Sequence, residues 1–388
     1  MNTPRKIAVL TTSRADYGHL YWVLKDLAAN PDIELCIVVT GAHLSAEFGH
    51  TVDEITRDGF TVDERVECLL SSDTDIGMAK TIGIATISLA DTFGRLRPDI
   101  LLLIADRYEM LAPASVAVAL RIPIAHIEGG DVSEGAIDDQ VRNALTKMSH
   151  LHFTPTELAR RRVLAMGEEA WRVQRTGAPS LDHLYRRQLF TRAELERDLQ
   201  LKFDGETIVV AYHPVTLARD TTHEADAVFA ALEALPQNII FCFPNADAGS
   251  RALVTRAKEF CARRANARLF VNLNHLQYWS VLRESDALIG NSSSGIMETP
   301  SIRKPTVNIG ARQQGRERAR NVLDAAANTD AIIEQTRRAL DPAFLHSLEG
   351  MTNPYGDGHA AERIVETLAS APLGEKLLVK RARATRDE

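Results

Sequence analysis

Two polar stretches stand where chemistry can be done. Asp106-Arg107-Tyr108-Glu109 follows the apolar run at residues 100–104, and His126-Ile127-Glu128-Gly129-Gly130-Asp131 closes the run at residues 122–127 and continues beyond it. Four consecutive polar or amphipathic residues after a buried run are poor core material. Glu128 lies two residues past His126, on the same side while a strand continues. Asp138-Asp139-Gln140-Val141-Arg142 then opens a helix, whose positive end suits carboxylates. Asp106, Glu128 and Asp138 thus form a candidate carboxylate cluster. Such a cluster raises one or more pKa values and permits general acid/base work. Two plainer readings compete: Asp138 as a helix cap only, and the cluster as a divalent-metal site. Magnesium leans on substrate phosphates, and no metal is expected here.

A second set of residues suits anions. Thr11-Thr12-Ser13-Arg14-Ala15-Asp16-Tyr17-Gly18 follows the first apolar run, and hydroxyls with an arginine at a helix start can hold a phosphate or carboxylate. In the second half, Tyr212-His213-Pro214-Val215-Thr216 ends one run and Phe243-Pro244-Asn245-Ala246-Asp247-Ala248-Gly249 the next. The sharpest signal is Gly290-Asn291-Ser292-Ser293-Ser294-Gly295, which feeds a helix start. Its backbone N–H groups and three hydroxyls make an anion cradle for a diphosphate. Glu298 can accept both hydroxyls of a ribose or simply favour the helix dipole. Arg312 and Arg316, after the run at residues 305–308, offer two cations for phosphate or nucleobase. There is no G-x-G-x-x-G after a strand, no P-loop, no H-E-x-x-H and no G-x-S-x-G, so those chemistries are unsupported.

The elements that must position these residues alternate between the two periods. Residues 6–10, 33–40, 60–66, 100–104 and 122–127 read as strands, and 19–29, 81–95 and 112–120 as helices, with Leu20, Val23, Leu24 and Leu27 on one face of the first. Strands at 207–212, 238–244, 267–273, 287–290 and 305–308 repeat the logic, with helices at 226–235, 252–262 and 278–285 between them. Short connections between alternating elements predict parallel sheets with helices on both faces. The 388 residues suit two domains, with a break near Thr176-Gly177-Ala178-Pro179-Ser180, where Gly and Pro interrupt the pattern. The expected domains are residues 1–178, rejoined by a C-terminal helix at 359–388, and residues 179–358. Ligands bind outside the carboxyl ends of strands in such sheets, so the expected site is a cleft between domains.

Composition narrows the class. Hydrophobic residues at 45% and charged residues at 25% fit a folded globular chain. A net charge of −7 argues against a nucleic-acid surface. No apolar run approaches the roughly 20 residues of a membrane span, and the N-terminus has no secretory h-region. Cys36, Cys68, Cys242 and Cys261 lack metal-ligand spacing. A cytoplasmic protein with no cofactor is expected.

Taken in order, Arg14-Ala15-Asp16-Tyr17-Gly18, Asp106-Arg107-Tyr108-Glu109, His126-Ile127-Glu128-Gly129-Gly130, Ala136-Ile137-Asp138-Asp139, His213-Pro214-Val215-Thr216, Pro244-Asn245-Ala246-Asp247, the Gly290–Gly295 turn, Pro305-Thr306-Val307-Asn308-Ile309-Gly310 and Asn353-Pro354-Tyr355-Gly356-Asp357-Gly358 resemble the UDP-N-acetylglucosamine 2-epimerases, in their hydrolysing, sialic-acid-type branch. The resemblance spans the chain from Arg14 to Gly358. It implies a GT-B fold of two Rossmann-like domains facing a central cleft. It implies conversion of UDP-N-acetylglucosamine and water to N-acetylmannosamine and UDP, by anti elimination to a 2-acetamidoglucal and then hydration. Catalytic roles fall on Asp106, Glu128, Asp138 and His126. Substrate contacts fall on Arg14, His19, His43, Arg107, Arg142, His213 (phosphate), Asn245, Asp247, Ser292, Ser293, Ser294, Gly295, Glu298 (ribose), Arg312 and Arg316. A homodimer or homotetramer is implied as well. Ala105 departs from the family's usual Gly-Asp-Arg, and His19 stands where a basic residue is common. Three readings compete: the same chemistry on UDP-2,4-diacetamido-2,4,6-trideoxyglucose or GDP-N-acetylglucosamine, as in legionaminic acid synthesis; a retaining GT-B glycosyltransferase, which needs an acceptor groove; and a non-catalytic nucleotide-sugar sensor.

Overall fold

Ile100–Ile104 is apolar at every position and fully buried, the mark of a strand covered on both faces. It lies near the middle of a parallel sheet. The computed structural model describes residues 4–70, 72, 74–134, 137–213, 222–243, 250–271 and 273–381. The chain divides into two units: Met1–Asp131, Asp138–Asp182 and Gly356–Glu388 form the first, and Val132–Ile137 with His183–Tyr355 the second. The grouping of Val132–Ile137 with the second unit was not visible in the sequence.

The first unit holds β1 (Arg5–Thr11), β2 (Ile33–Thr40), β3 (Glu64–Val66), β4 (Ile100–Ile104), β5 (Ile124–Ile127), β6 (Leu151–Thr154) and β7 (Val173–Arg175), in the order β3-β2-β1-β4-β5-β6-β7. Every pairing is parallel. Strand order reverses between β1 and β4, and ligands of such sheets bind outside the strand ends at that switch point. The second unit repeats the plan with β8 (Thr207–Ala211), β9 (Asn238–Phe243), β10 (Ala267–Val271), β11 (Ala287–Gly290), β12 (Thr306–Ile309) and β13 (Val322–Ala325), in the order β10-β9-β8-β11-β12-β13. Its switch point lies between β8 and β11. Alternate residues of these strands feed two cores: Ile208, Val210, Ile239 and Phe241 face one helical layer, and Val209, Ala211, Ile240 and Leu288 the other.

Local chemistry explains where the elements depart from the expected bounds. The first helix begins at Arg14, five residues earlier than its apolar face implies, because Ser13 caps it by accepting the Asp16 N–H. Of the expected 60–66 strand only Glu64–Val66 pairs. β6, β7 and β13 are too short for a periodic signal. The C-terminal region is two helices, Ala360–Ser370 and Glu375–Leu378, and not one. Pro372 ends the first, and Gly374 at φ +68° turns the chain between them.

The Ala360–Ser370 helix packs on the Arg14–Ala29 helix of the first unit, burying Ile364, Val365 and Leu368. Its start is capped by Asp182. The fully buried carboxylate accepts the N–H groups of Ala360 and Ala361, each at 2.9 Å. Asp182→Ala leaves two buried donors unpaired and should remove about 2–3 kcal/mol of stability. Urea unfolding of the purified variant checks this, and Asp182→Asn, which keeps one acceptor, should lose less.

Candidate active site

In the first unit the loops after β1, β4 and β5 gather the expected residues at the switch point. Asp106 follows β4 and pairs with Arg142, whose Nη2 donates to Asp106 Oδ2. Arg142 is 1% exposed. Its Nη1 also donates to the Asp131 carbonyl at 3.0 Å and lies 3.6 Å from Asp139 Oδ1. The expected substrate arginine is therefore a buried anchor for Asp106. Asp138 opens the same helix, Asp138–Met148, one turn before Arg142 and on the same face. Glu128 is 8% exposed and meets His19, with Oε1 and Nδ1 3.1 Å apart. Arg107 donates from Nη2 to Glu109 Oε1 at 2.9 Å. Arg14 lies 3.5 Å from Glu54 in a partly exposed pair, an arrangement that adds little stability.

Both strand ends turn sharply. Ala105 takes φ +59° and Glu128 φ +67°, a region that costs a Cβ-bearing residue about 1–2 kcal/mol. The turn after β4 is pinned from β5: Ala105 N–H donates to the Ile127 carbonyl at 3.0 Å, and His126 Nε2–H donates to the Ala105 carbonyl at 2.8 Å. This left-handed turn gives the glycine of the family pattern its physical reason.

Two expected site histidines lie inside the protein. His126 is fully buried, and its Nδ1 lies 3.3 Å from Thr146 Oγ1. Burial pushes its pKa down to about 4. The geometry gives it a neutral, positioning place behind Asp106 in place of the expected catalytic one. His43 is also fully buried, between Thr11 Oγ1 at 2.9 Å and Thr51 Oγ1 at 2.7 Å. Burial and then the Arg107 charge push its pKa down to about 3. This places it against the fold and not where a substrate contact was expected.

In the second unit the site is built around Gly290 and Asn291. Gly290 takes φ +147°, and a Cβ there would sit 2.0 Å from the Ala211 carbonyl oxygen. Asn291 then bridges β11 to β8: its Oδ1 accepts His213 N–H at 2.7 Å and its Nδ2 donates to the His213 carbonyl at 2.8 Å. The Asn291 carbonyl in turn accepts Arg312 Nη1 at 2.8 Å and Gln313 Nε2 at 2.9 Å. His213 is half-buried, and burial followed by the Arg312 charge pushes its pKa down to about 3.

Gly295 does not belong to the cradle as expected. Its N–H donates to the Ser292 carbonyl at 3.2 Å, and an added Cβ would sit 2.5 Å from Thr306 Cγ2. Its role is close packing of the Ser294–Met297 turn on the sheet. Arg316 is likewise engaged: Nε donates to the Val132 carbonyl at 3.1 Å, with Met297 Sδ at 3.2 Å and Ser133 Oγ at 3.4 Å. Glu298 is 7% exposed, and no hydrogen-bond partner for its carboxylate is found among the described residues. Asn353 Nδ2 holds this turn through the Met297 carbonyl and Ser301 Oγ, both at 2.7 Å. Asn245 and Asp247 lie outside the described residues. Sequence reasoning missed Thr146, whose place depends on tertiary contacts, and it quoted Glu109, Asp131 and Asp139 without assigning them.

The profile described as UDP-N-acetylglucosamine 2-epimerase matches residues 25–369. The chain belongs to that family. It is 37% identical over 378 residues to the UDP-N,N′-diacetylbacillosamine 2-epimerase (hydrolyzing) of Legionella pneumophila, covering 97% of this chain and 98% of that one. It is also 37% identical over 327 residues to the GDP/UDP-N,N′-diacetylbacillosamine 2-epimerase (hydrolyzing) of Campylobacter jejuni, covering 84% and 85%. The crystal structure of UDP-GlcNAc 2-epimerase from Neisseria meningitidis bound to UDP-GlcNAc superposes with a TM-score of 0.81 at 19% identity, covering 94% and 99%. The epimerase fold is thus the two-Rossmann, GT-B-like α/β arrangement. No helix among the described residues is long and apolar enough to cross a membrane.

Two outcomes follow for this 2-epimerase family member. Ala105→Gly should raise stability by about 1 kcal/mol in urea unfolding, since glycine relieves the left-handed strain. Stability should also fall in acid. His43, His126 and His150 have pKa values pushed down to about 3, 4 and 4 by burial, and His150 Nδ1 accepts the Ile124 N–H at 3.1 Å. Unfolded imidazoles protonate near 6.5, so the unfolded chain takes up protons first. Stability present above pH 6.5 should be lost as pH falls towards 4, at about 1.4 kcal/mol per pH unit for each imidazole. Melting temperature against pH checks it.

Proposed function

We propose that this chain is a hydrolysing 2-epimerase that converts a UDP-linked 2-acetamido-glucopyranose and water to UDP and the free 2-acetamido-mannopyranose. The observation that carries the reading is Asp106 after β4, beside the switch point of the first sheet and held by buried Arg142; Glu128 after β5 and Asp138 one turn before Arg142 are the other two carboxylates of the proposed set. In an α-linked gluco donor the C2–H and the C1–O bond to the diphosphate are anti. A carboxylate removes the C2 proton, the C1–C2 double bond forms, and the C1–O electron pair leaves with UDP. Water then adds its oxygen to C1, and a proton enters C2 from the other face. Removal from one face and delivery to the other call for two acid/base groups, and the cluster supplies three carboxylates. The weak C2 acidity calls for a partly desolvated base, and Glu128 is 8% exposed while Asp106 and Asp138 are partly buried.

The second unit has the chemistry for the nucleotide. Arg312 and His213 suit the diphosphate, with the Ser292, Ser293 and Ser294 turn. The nearly buried Glu298 carboxylate suits the two ribose hydroxyls, which would replace the water it loses on burial. The substrate reading moves from UDP-N-acetylglucosamine to UDP-N,N′-diacetylbacillosamine, a 2,4-diacetamido-2,4,6-trideoxyglucose donor. Two relatives at 37% identity carry that substrate in their names. The product would be the matching free mannosamine derivative, a precursor of legionaminic-type acids. A homo-oligomer and a cytoplasmic location complete the proposal.

Coupled assays for UDP release with the two donors test the substrate, and kcat/KM should favour the diacetamido donor at least tenfold. A preference for UDP-N-acetylglucosamine would reverse the assignment. Asp106→Asn should lower kcat by about 10³-fold with the fold intact, and unchanged turnover would remove Asp106 from the chemistry. Glu298→Gln should weaken UDP binding about 10- to 100-fold by titration calorimetry.

A further inference from the structure

Beside Asp106 lies a buried charge cluster that the proposed chemistry leaves unused. Glu109 is 2% exposed. Its Oε1 accepts Arg107 Nη2 at 2.9 Å, while Oε2 is buried with no hydrogen-bond partner among the described residues. Asp16, after β1, is a separate buried carboxylate whose Oδ2 accepts Thr12 N–H at 3.0 Å and Thr12 Oγ1–H at 2.6 Å. The Arg107 guanidinium is held directly by the buried Glu109 carboxylate. A third of its side chain remains exposed to solvent. The planar fork of an arginine held by a carboxylate has a fixed direction, which a lone exposed arginine lacks.

We propose that Glu109 is a positioning residue that holds Arg107 in one orientation beside Asp106, so that it meets the pyranose end of the donor preformed. This rests on reading Arg107 as a substrate contact. The buried Glu109 carboxylate then serves recognition of the sugar and not the chemical step, and preorganised groups of this kind act through binding. Two physical effects oppose each other when the charge is removed. Loss of direction weakens binding of the sugar, whereas loss of an anion near the site strengthens attraction to the donor's diphosphate. The directional role requires the first to win.

The test compares Glu109→Gln, Arg107→Ala and the double variant, with steady-state kinetics on UDP-N,N′-diacetylbacillosamine and a binding titration with UDP alone. Glu109→Gln should raise KM about tenfold, leave kcat within threefold and leave the Kd for UDP unchanged. In the Arg107→Ala background it should add nothing to KM, because the two residues act as one unit. Glu109→Asp, which keeps the charge on a shorter arm, should raise KM by less than Glu109→Gln, and it serves where Glu109→Gln does not fold. A full additional loss in the double variant, an equal loss of UDP binding, or a fall in KM each overturns the proposal. Failure of both Glu109→Gln and Glu109→Asp to fold would assign Glu109 to the fold alone and overturn it too. An unchanged KM in Arg107→Ala itself rejects Arg107 as a substrate contact, and with it the site reading beneath the proposal.

Discussion

A guanidinium with 1% exposure cannot be left without carboxylates, and Arg142 sets the first unit's site through that demand. Breaking a buried pair of this kind costs about 3–5 kcal/mol. Its partners are therefore fixed: Asp106, Asp139 and the Asp131 carbonyl converge on it. The loop after β4 must bring Asp106 to that point, and it does so through a left-handed Ala105 pinned by His126. Local backbone strain, a buried imidazole and a buried ion pair thus all serve one carboxylate. Strain concentrates at functional sites when the surroundings over-determine it, and here the surroundings can be named.

The second unit reaches a comparable end with neutral groups. Gly290 lets β11 approach the Ala211 carbonyl more closely than any Cβ allows, and Asn291 then ties the ends of β8 and β11 together. The serine turn, His213 and Arg312 take their places from that bridge. Backbone groups, hydroxyls and the Arg312 guanidinium are the groups that the proposed diphosphate contact would use.

Much of this was legible in the sequence. Parallel sheets follow from the uninterrupted apolar runs, and Asp106 and Asn291 stand directly beyond β4 and β11, beside the two switch points. What the sequence could not supply was direction. His126 and Glu128 share a strand face by spacing, yet His126 points into the core and Glu128 turns out at φ +67°. Arg142 and Arg316 read as cations for a ligand, but tertiary contacts engage both. The glycine at position 295 reads as part of an anion loop and proves to be a packing contact. Short strands such as Val173–Arg175 carry too few residues for a periodic signal, and Pro372 with Gly374 splits a helix that composition alone would run together.

The central claim is that a carboxylate takes the proton from C2 and that a proton returns to the opposite face. The most direct measurement is proton NMR of the product formed in deuterated water, with wild-type protein and UDP-N,N′-diacetylbacillosamine. The account predicts a free manno-configured sugar carrying deuterium at C2, together with free UDP. A product that keeps its C2 proton, or that retains the gluco configuration, would contradict it.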